Sequence, residues 1–372
     1  MNSRQLLRIS MCFFVTLTFL ATNAAAQTSP SFRDATGDIA LEYPRDFGSH
    51  PEFATEWWYF TGHLRSADRR TFGFELVFFR VGVDPQRHSS SNWAMPSVYL
   101  AHFAVTDDKD AKFHFWERRS RGSFADAGAE QNKLQVWNGP WRASLEGEAL
   151  SLQASADDLA LALTLRQTKP ITLHGDRGLS KKGAEPGAAS YYASLTRLEG
   201  TGTLQLGAEM IPITSASAWY DQEFTSSKSA RTSIGWDWFA IQLEAGQELM
   251  VYQLRNERGE RSPFSSGTFI ASDGHSTHLT SEQISLTPLT FWTSPTTGIR
   301  YPAKWKIAVP SLAIDGEVEP TVSDQELVTS TSTGVTYWEG RTRFQGTVQG
   351  QSRGGDAYME LVGYGAEQKN GH

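Results

Sequence analysis

The chain has 372 residues, 34 of them basic and 41 acidic, for a formal charge of −7. That acidic balance, with no basic run beyond Arg118-Arg119-Ser120-Arg121, argues against a nucleic-acid partner. A single cysteine, Cys12, rules out an internal disulfide, and 12 tryptophans suit an aromatic β core or an apolar ligand cavity.

The N-terminal 26 residues read as a secretory signal peptide. Arg4 and Arg8 precede an apolar stretch at 9–21, and Ala24-Ala25-Ala26 is a small-residue cleavage site. Cleavage there removes Cys12 and takes the formal charge from −7 to −9. A cysteine-free chain in an oxidising compartment relies on its hydrophobic core, so a periplasmic or secreted location is expected.

The next feature is Glu56-Trp57-Trp58-Tyr59-Phe60, which follows Gly48-Ser49-His50-Pro51. Strand alternation sends Trp57 and Tyr59 to one face and Glu56, Trp58 and Phe60 to the other. Both faces must then be covered, and Glu56 lies among rings, where an unpaired charge is costly.

Further along, helical periodicity is nearly absent. Apolar or alternating runs bounded by Gly, Pro, Asp and Ser predict strands at 56–64, 71–81, 98–106, 112–119, 141–147, 149–154, 159–167, 188–198, 202–206 and 216–221. The second half adds 236–243, 248–255, 267–271, 304–309, 312–317, 336–348 and 356–364, with short helix only near 125–134 and 281–283. Asp107-Asp108-Lys109-Asp110 reads as a hairpin turn.

The two halves match in order. Trp57-x-x-Phe60-x-x-x-Leu64 corresponds to Trp236-x-x-Phe239-x-x-x-Leu243, and Arg80 to Arg255. Thr196-Arg197-Leu198-Glu199-Gly200-Thr201 corresponds to Thr342-Arg343-Phe344-Gln345-Gly346-Thr347, which places Tyr192 opposite Trp338. Ala218-Trp219-Tyr220-Asp221 corresponds to Ala357-Tyr358-Met359-Glu360. A tandem duplication follows, with its seam near 225–232. A first-strand tryptophan with a later arginine is similar to the lipocalin closing device, in which a guanidinium packs over an indole at one barrel end. The expected architecture is therefore all-β, with two tandem lipocalin-like antiparallel barrels. The expected division is a signal peptide at 1–26, one barrel domain at 27–228 and a second at 229–368.

No G-x-S-x-G, H-E-x-x-H or phosphate-loop motif occurs. His275 and His278 lie in a polar Ser/Thr/Gly stretch, and neither a metal nor a cofactor is expected. Acid–base chemistry has better candidates in Trp219-Tyr220-Asp221-Gln222-Glu223, where Trp219, Asp221 and Glu223 share one strand face. Each acid has a second reading, in which it pairs with a barrel arginine such as Arg80 or Arg197. His174, in the glycine-rich stretch 173–183, is either a base oriented by Asp176 or a histidine bonding its own loop. His50 is open in the same way.

These segments resemble one family across essentially the whole mature chain. Gly48-Ser49-His50-Pro51 with Glu56-Trp57-Trp58-Tyr59, His102-Phe103-Ala104-Val105-Thr106, Lys169-Pro170 with His174-Gly175-Asp176-Arg177-Gly178, Ala218-Trp219-Tyr220-Asp221 and Tyr337-Trp338-Glu339-Gly340 resemble the carotenoid 1,2-hydratases and their AttH-like secreted relatives. The AttH-like branch is the nearer, although Gln222 stands where those relatives usually carry histidine. The resemblance implies two lipocalin-like barrels and an apolar ligand, an isoprenoid or acyl lipid. The implied reaction is acid-catalysed hydration, a hydro-lyase step, or else hydrolysis. It also implies Asp221 as the acid, and ABC-transporter components as partners for some members. On this basis Asp221, Glu223 and His174 are the expected catalytic residues. Glu56, Trp57, Trp58, Tyr59, Trp219, Tyr220 and His50 are the expected ligand-binding residues. The alternative is a periplasmic lipid carrier without chemistry.

Overall fold

The computed structural model describes residues 32–83, 97–122, 125–225, 233–256 and 258–365. The signal-peptide expectation and most of the expected seam lie outside these residues. The first half contributes β1 (Thr55–Ser66), β2 (Thr71–Gly82), β3 (Ser97–Asp107), β4 (Lys112–Ser120), β5 (Ala127–Ala129), β6 (Gln135–Asn138) and β7 (Trp141–Glu146). It continues with β8 (Ala149–Ala156), β9 (Leu159–Gln167), β10 (Thr172–Leu173), β11 (Leu179–Lys181), β12 (Ala189–Leu206) and β13 (Glu209–Thr225). These form an antiparallel sheet in the order β4-β3-β2-β1-β13-β12-β9-β8-β7-β6-β5, curled into a nearly closed barrel.

The second half contributes β14 (Gly235–Leu243), β15 (Glu248–Arg255), β16 (Ser266–Ile270), β17 (Ser276–Leu279) and β18 (Ser285–Thr293). It ends with β19 (Arg300–Val309), β20 (Ile314–Pro320), β21 (Glu326–Val328), β22 (Thr336–Val348) and β23 (Gln351–Val362). Their order, β17-β16-β15-β14-β23-β22-β20-β19-β18, makes a half-barrel. Residues from Ser31 onward form one compact unit.

Alternation on β1 explains how the sheets meet. Trp58, Phe60 and Leu64 enter the barrel core with Phe72, Phe74 and Phe103. Tyr59 points the opposite way and joins Val77, Tyr192 and Trp219 against Trp238, Met250, Tyr252 and Tyr358 of the second sheet, with Trp57 packed at the edge of the group. The aromatic triplet thus serves two cores because its side-chain period is two. Lys169 ties the sheets together from one side: its ammonium donates to Glu248 at 2.6 Å and to the Ala271 carbonyl at 2.8 Å. Arg197 donates to the other oxygen of Glu248 at 2.7 Å.

Three expectations change. The segment 125–134 is helical only at Ala125, which is in 3₁₀ conformation; β5 follows and pairs with β6, and the absent side chain of Gly128 leaves room for the Trp137 ring. The 3₁₀ turn Ser281–Gln283 does form. Strands β5, β6, β10, β11, β17, β18 and β21 were not expected: β18 is exposed along most of its length and carries no alternation, and the others are two to four residues long, too short for a pattern. The barrel-closing pair also differs. The first-strand tryptophan that enters the barrel is Trp58, which donates its indole N–H to the Phe47 carbonyl at 2.9 Å. The guanidinium over an indole is Arg118 on Trp141, at 5.5 Å, and Arg80 instead meets Glu56.

Candidate active site

Between the sheets lies a cavity of about 340 Å³. Its apolar walls come from Trp57, Val77 and Phe79 of the first sheet and Trp236, Trp238 and Leu254 of the second. Five carboxyl groups also line it: Glu75, Asp221, Glu223, Glu339 and Glu360. Lys182 is the cation among the described lining residues. An apolar pocket with a few convergent polar groups is the usual form of a small-molecule site.

Asp221 sits on β13 opposite Tyr59 of β1. One carboxyl oxygen accepts the indole N–H of Trp219 at 2.6 Å and the hydroxyl of Ser194. The other accepts the Tyr192 hydroxyl at 2.5 Å, and Tyr192 is held by the Trp238 indole at 3.1 Å. Burial pushes the Asp221 carboxyl up to about 7, against the opposing pull of those three donors. The group is therefore shared between its acid and carboxylate forms near neutral pH.

His174 stands behind this acid. Its Nε2 lies 2.6 Å from Ser194 Oγ and its Nδ1 2.8 Å from Thr268 Oγ1. Because Ser194 donates to Asp221, Nε2 carries the proton and donates to Ser194, and Nδ1 accepts from Thr268. Burial, reinforced by the Lys182 charge, holds the imidazole down at about 3, so it stays neutral. Asp176 takes no part; it is exposed beside Arg177. Glu223, two residues from Asp221 on the same face, pairs with Lys182 at 3.1 Å and accepts from Ser190.

The opposite wall belongs mainly to acids that the sequence did not single out. Tyr59 donates to Glu339 at 2.5 Å, and Trp236 donates to Glu360 at 2.8 Å. Burial raises Glu75 to about 8 and Glu360 to about 7, with repulsion from neighbouring carboxylates adding to both. Glu339 is raised well above the ordinary range, first by burial and then by Glu75 and Glu360. Glu75 was detectable as a lone acid within Phe74-Glu75-Leu76-Val77-Phe78. Glu360 was the repeat counterpart of Asp221, and Trp238–Glu360 occupies the register place of Tyr59–Asp221.

The expected residues thus divide in two. Trp57, Tyr59, Asp221 and Glu223 line the cavity, with Trp219 and His174 directly behind Asp221. Trp58 and Tyr220 turn into the barrel core, where Tyr220 stacks on Phe60 at 4.6 Å. Glu56 and His50 lie at the barrel end. There the carboxylate accepts from the His50 backbone at 2.8 Å, Gln222 at 3.2 Å and Arg80 at 3.4 Å, and the His50 ring stacks on Phe224. Gln222 faces Glu56, so its difference from the family pattern falls outside the cavity.

A model of the AttH-like family matches residues 34–364. The chain belongs to the AttH-like family. An AttH-like crystal structure, assigned as AttH, from Nitrosomonas europaea is 31% identical, with a TM-score of 0.80 over 90% of this chain and 100% of that one. Kievitone hydratase from Nectria haematococca shares the fold at 17% identity, with a TM-score of 0.67 over 90% of this chain and 96% of that one. CghA, solved with Sch210972, does so at 12% identity, with a TM-score of 0.54 over 90% and 96%. Comparison with curated proteins gives no match. The chain thus shares its overall fold with kievitone hydratase and CghA.

Proposed function

We propose that this AttH-like protein is an acid-catalysed hydro-lyase for a long apolar ligand, an isoprenoid or acyl lipid, and that Asp221 is the acid. The observation that carries the reading is a buried carboxyl, raised to about 7, facing an aromatic cavity. In hydration, the Asp221 proton adds to the less substituted alkene carbon, and the π pair becomes the new C–H bond. The tertiary cation left behind is stabilised by the faces of Trp57, Trp236 and Trp238. A water oxygen then bonds to that carbon, and its surplus proton passes to Glu223. Glu223 then returns that proton to Asp221, which closes the cycle, while Ser194, oriented by His174, holds the Asp221 carboxylate in place. The same cavity suits hydrolysis of an acyl ester if water attacks a carbonyl carbon instead.

Location in the periplasm and cooperation with an ABC transporter belong to this proposal. They rest on the N-terminal sequence and on the family resemblance. The second reading, a carrier, is favoured by the largely apolar cavity walls, which bind without chemistry. The two are separated by incubating protein lacking residues 1–26 with envelope lipids and acyclic isoprenoids in oxygen-18 water. Label in a new alcohol, absent with Asp221→Asn, supports hydration. Label in a released acid replaces hydration with hydrolysis. Bound lipid recovered without label overturns both in favour of the carrier.

A further inference from the structure

Glu75, two strands from Asp221 in the same sheet, has a route to the protein surface that the mechanism above does not use. On the outward face of the first sheet, Val77, His102 and Glu117 occupy directly opposed positions on β2, β3 and β4. Glu75 is two residues before Val77 on the same face. His102 is buried beneath Phe79, and its two ring nitrogens meet partners from the second half of the chain. Nδ1 lies 2.6 Å from the Tyr337 hydroxyl and Nε2 2.8 Å from Ser332 Oγ. Tyr337 also lies 3.3 Å from Glu75 Oε1. Ser332 donates to Glu117 at 2.5 Å, and the Ser332 and Thr331 backbone N–H groups hold that carboxylate at 2.8 and 3.0 Å. Glu117 is partly exposed, whereas Glu75 is fully buried and its Oε2 has no hydrogen-bond partner.

We propose that Glu117, Ser332, His102 and Tyr337 form a proton relay between solvent and Glu75, which keeps Glu75 loaded as a second proton donor while an apolar ligand fills the cavity. The chain has two complete polarisations. In one, Glu75 O–H donates to Tyr337, Tyr337 to Nδ1, Nε2–H to Ser332, and Ser332 to the Glu117 carboxylate. In the other, every donor is reversed. Inward transfer converts the second into the first. Glu117 gives its proton to Ser332, Ser332 gives its own to Nε2, Nδ1 gives up its proton to Tyr337, and Tyr337 gives its own to the Glu75 carboxylate. Four O–H or N–H bonds break and four form. One proton moves from Glu117 to Glu75, and His102 changes tautomer without becoming a cation.

The electrostatics agree with this direction. Burial holds His102 down at about 4, which disfavours an imidazolium trap in the middle of the chain. Glu117 is below the ordinary carboxylate range because the Ser332 and Thr331 hydrogen bonds outweigh its burial, while burial raises Glu75. The proton therefore runs downhill towards the cavity. A path through side chains is needed there because an apolar ligand displaces the water that would otherwise serve.

This inference deepens the hydration reading and rests on it for its purpose, but its test needs no turnover. The full mature protein, its cavity filled with the neutral probe N-phenyl-1-naphthylamine, is mixed rapidly into D2O. The carboxylic C=O infrared band lost in Glu75→Gln then reports H/D exchange at Glu75. The expected result is exchange at least tenfold slower in Glu117→Gln and in His102→Asn, with the band present in both. The Glu117 change is partly exposed and leaves the core intact. Equal rates in the wild type and both variants overturn the relay. Absence of a Glu75 acid band in the wild type overturns it too, because no proton would then be stored there. Neither result alters whether label from water enters a lipid.

Discussion

Glu56 and Asp221 show how a buried carboxyl takes on one role or another. Glu56 is surrounded by donors and a guanidinium, a structural arrangement that anchors the Gly48-to-Phe53 turn to the barrel end. Removing the cation by Arg80→Ala leaves a buried charge short of its partner. We expect a loss of about 3–5 kcal/mol in urea unfolding, with little effect on the cavity. Asp221 has three donors but no cation within its hydrogen-bond set, so burial outweighs them and raises the carboxyl to about 7. Asp221→Asn should keep the fold and lower turnover by roughly 10²–10⁴-fold. In the wild type, activity should fall as pH rises through about 7, where the acid form is lost, and a pH–rate profile reads this directly. Both acids stood out in the sequence as charges beside aromatics. What separated them was which face each occupied and who waited there, Arg80 for one and Tyr192 with Trp219 for the other.

At the scale of strands, period-two alternation was the most legible signal, and it assigned Trp57 with Tyr59 and Trp58 with Phe60 to opposite faces. Where alternation is interrupted, the reading slips. The repeat match paired Tyr192 with Trp338, yet Tyr192 faces the cavity, whereas Trp338 lies in the half-barrel core and its neighbour Tyr337 lines the cavity. A bulge in β12 between Leu195 and Leu198 shifts the register there, and no sequence pattern announces it. Lys169, read only as part of a motif, proves to be a strut between elements, since it binds one carboxylate and backbone carbonyls of the second sheet. Lys169→Met should destabilise by about 3 kcal/mol, because Glu248 keeps only Arg197, and thermal unfolding would show it. An unchanged midpoint would remove the strut from this account.

Across the whole molecule, the cavity makes stability depend on pH in a definite direction. Asp221, Glu75, Glu339 and Glu360 have raised folded-state pKa values, so their contribution is fully present below the unfolded carboxylate range and is lost as pH rises through the folded values. His63, His102 and His174 have lowered values, and their contribution is lost only as pH falls below the unfolded histidine value of about 6.5. Between about pH 6.5 and 8 the carboxyls act alone. The melting temperature should therefore fall across that window, and Glu360→Gln should make the fall shallower. A flat profile would mean that these acids are ionised in the folded state. Asp221 stood out in the sequence, but the cluster did not, because the acids come from four strands, β2, β13, β22 and β23, and meet only when the sheets close on each other.

Equivalent strands from the two halves present the same face to one shared space, Tyr59 and Asp221 from one side and Trp238 and Glu360 from the other. That is the geometry of a twofold dimer. In such a dimer a single gene copy would dictate both walls, and any improvement on one side would be imposed on the other. Joined in one chain, the walls are free to differ, and they do: an aspartate with serine, tyrosine and indole donors on one side, a glutamate with a single indole donor on the other. A ligand turned end for end would meet the same contacts in a symmetric dimer; here the two orientations are no longer equivalent, so the walls themselves set which end of an asymmetric chain lies where.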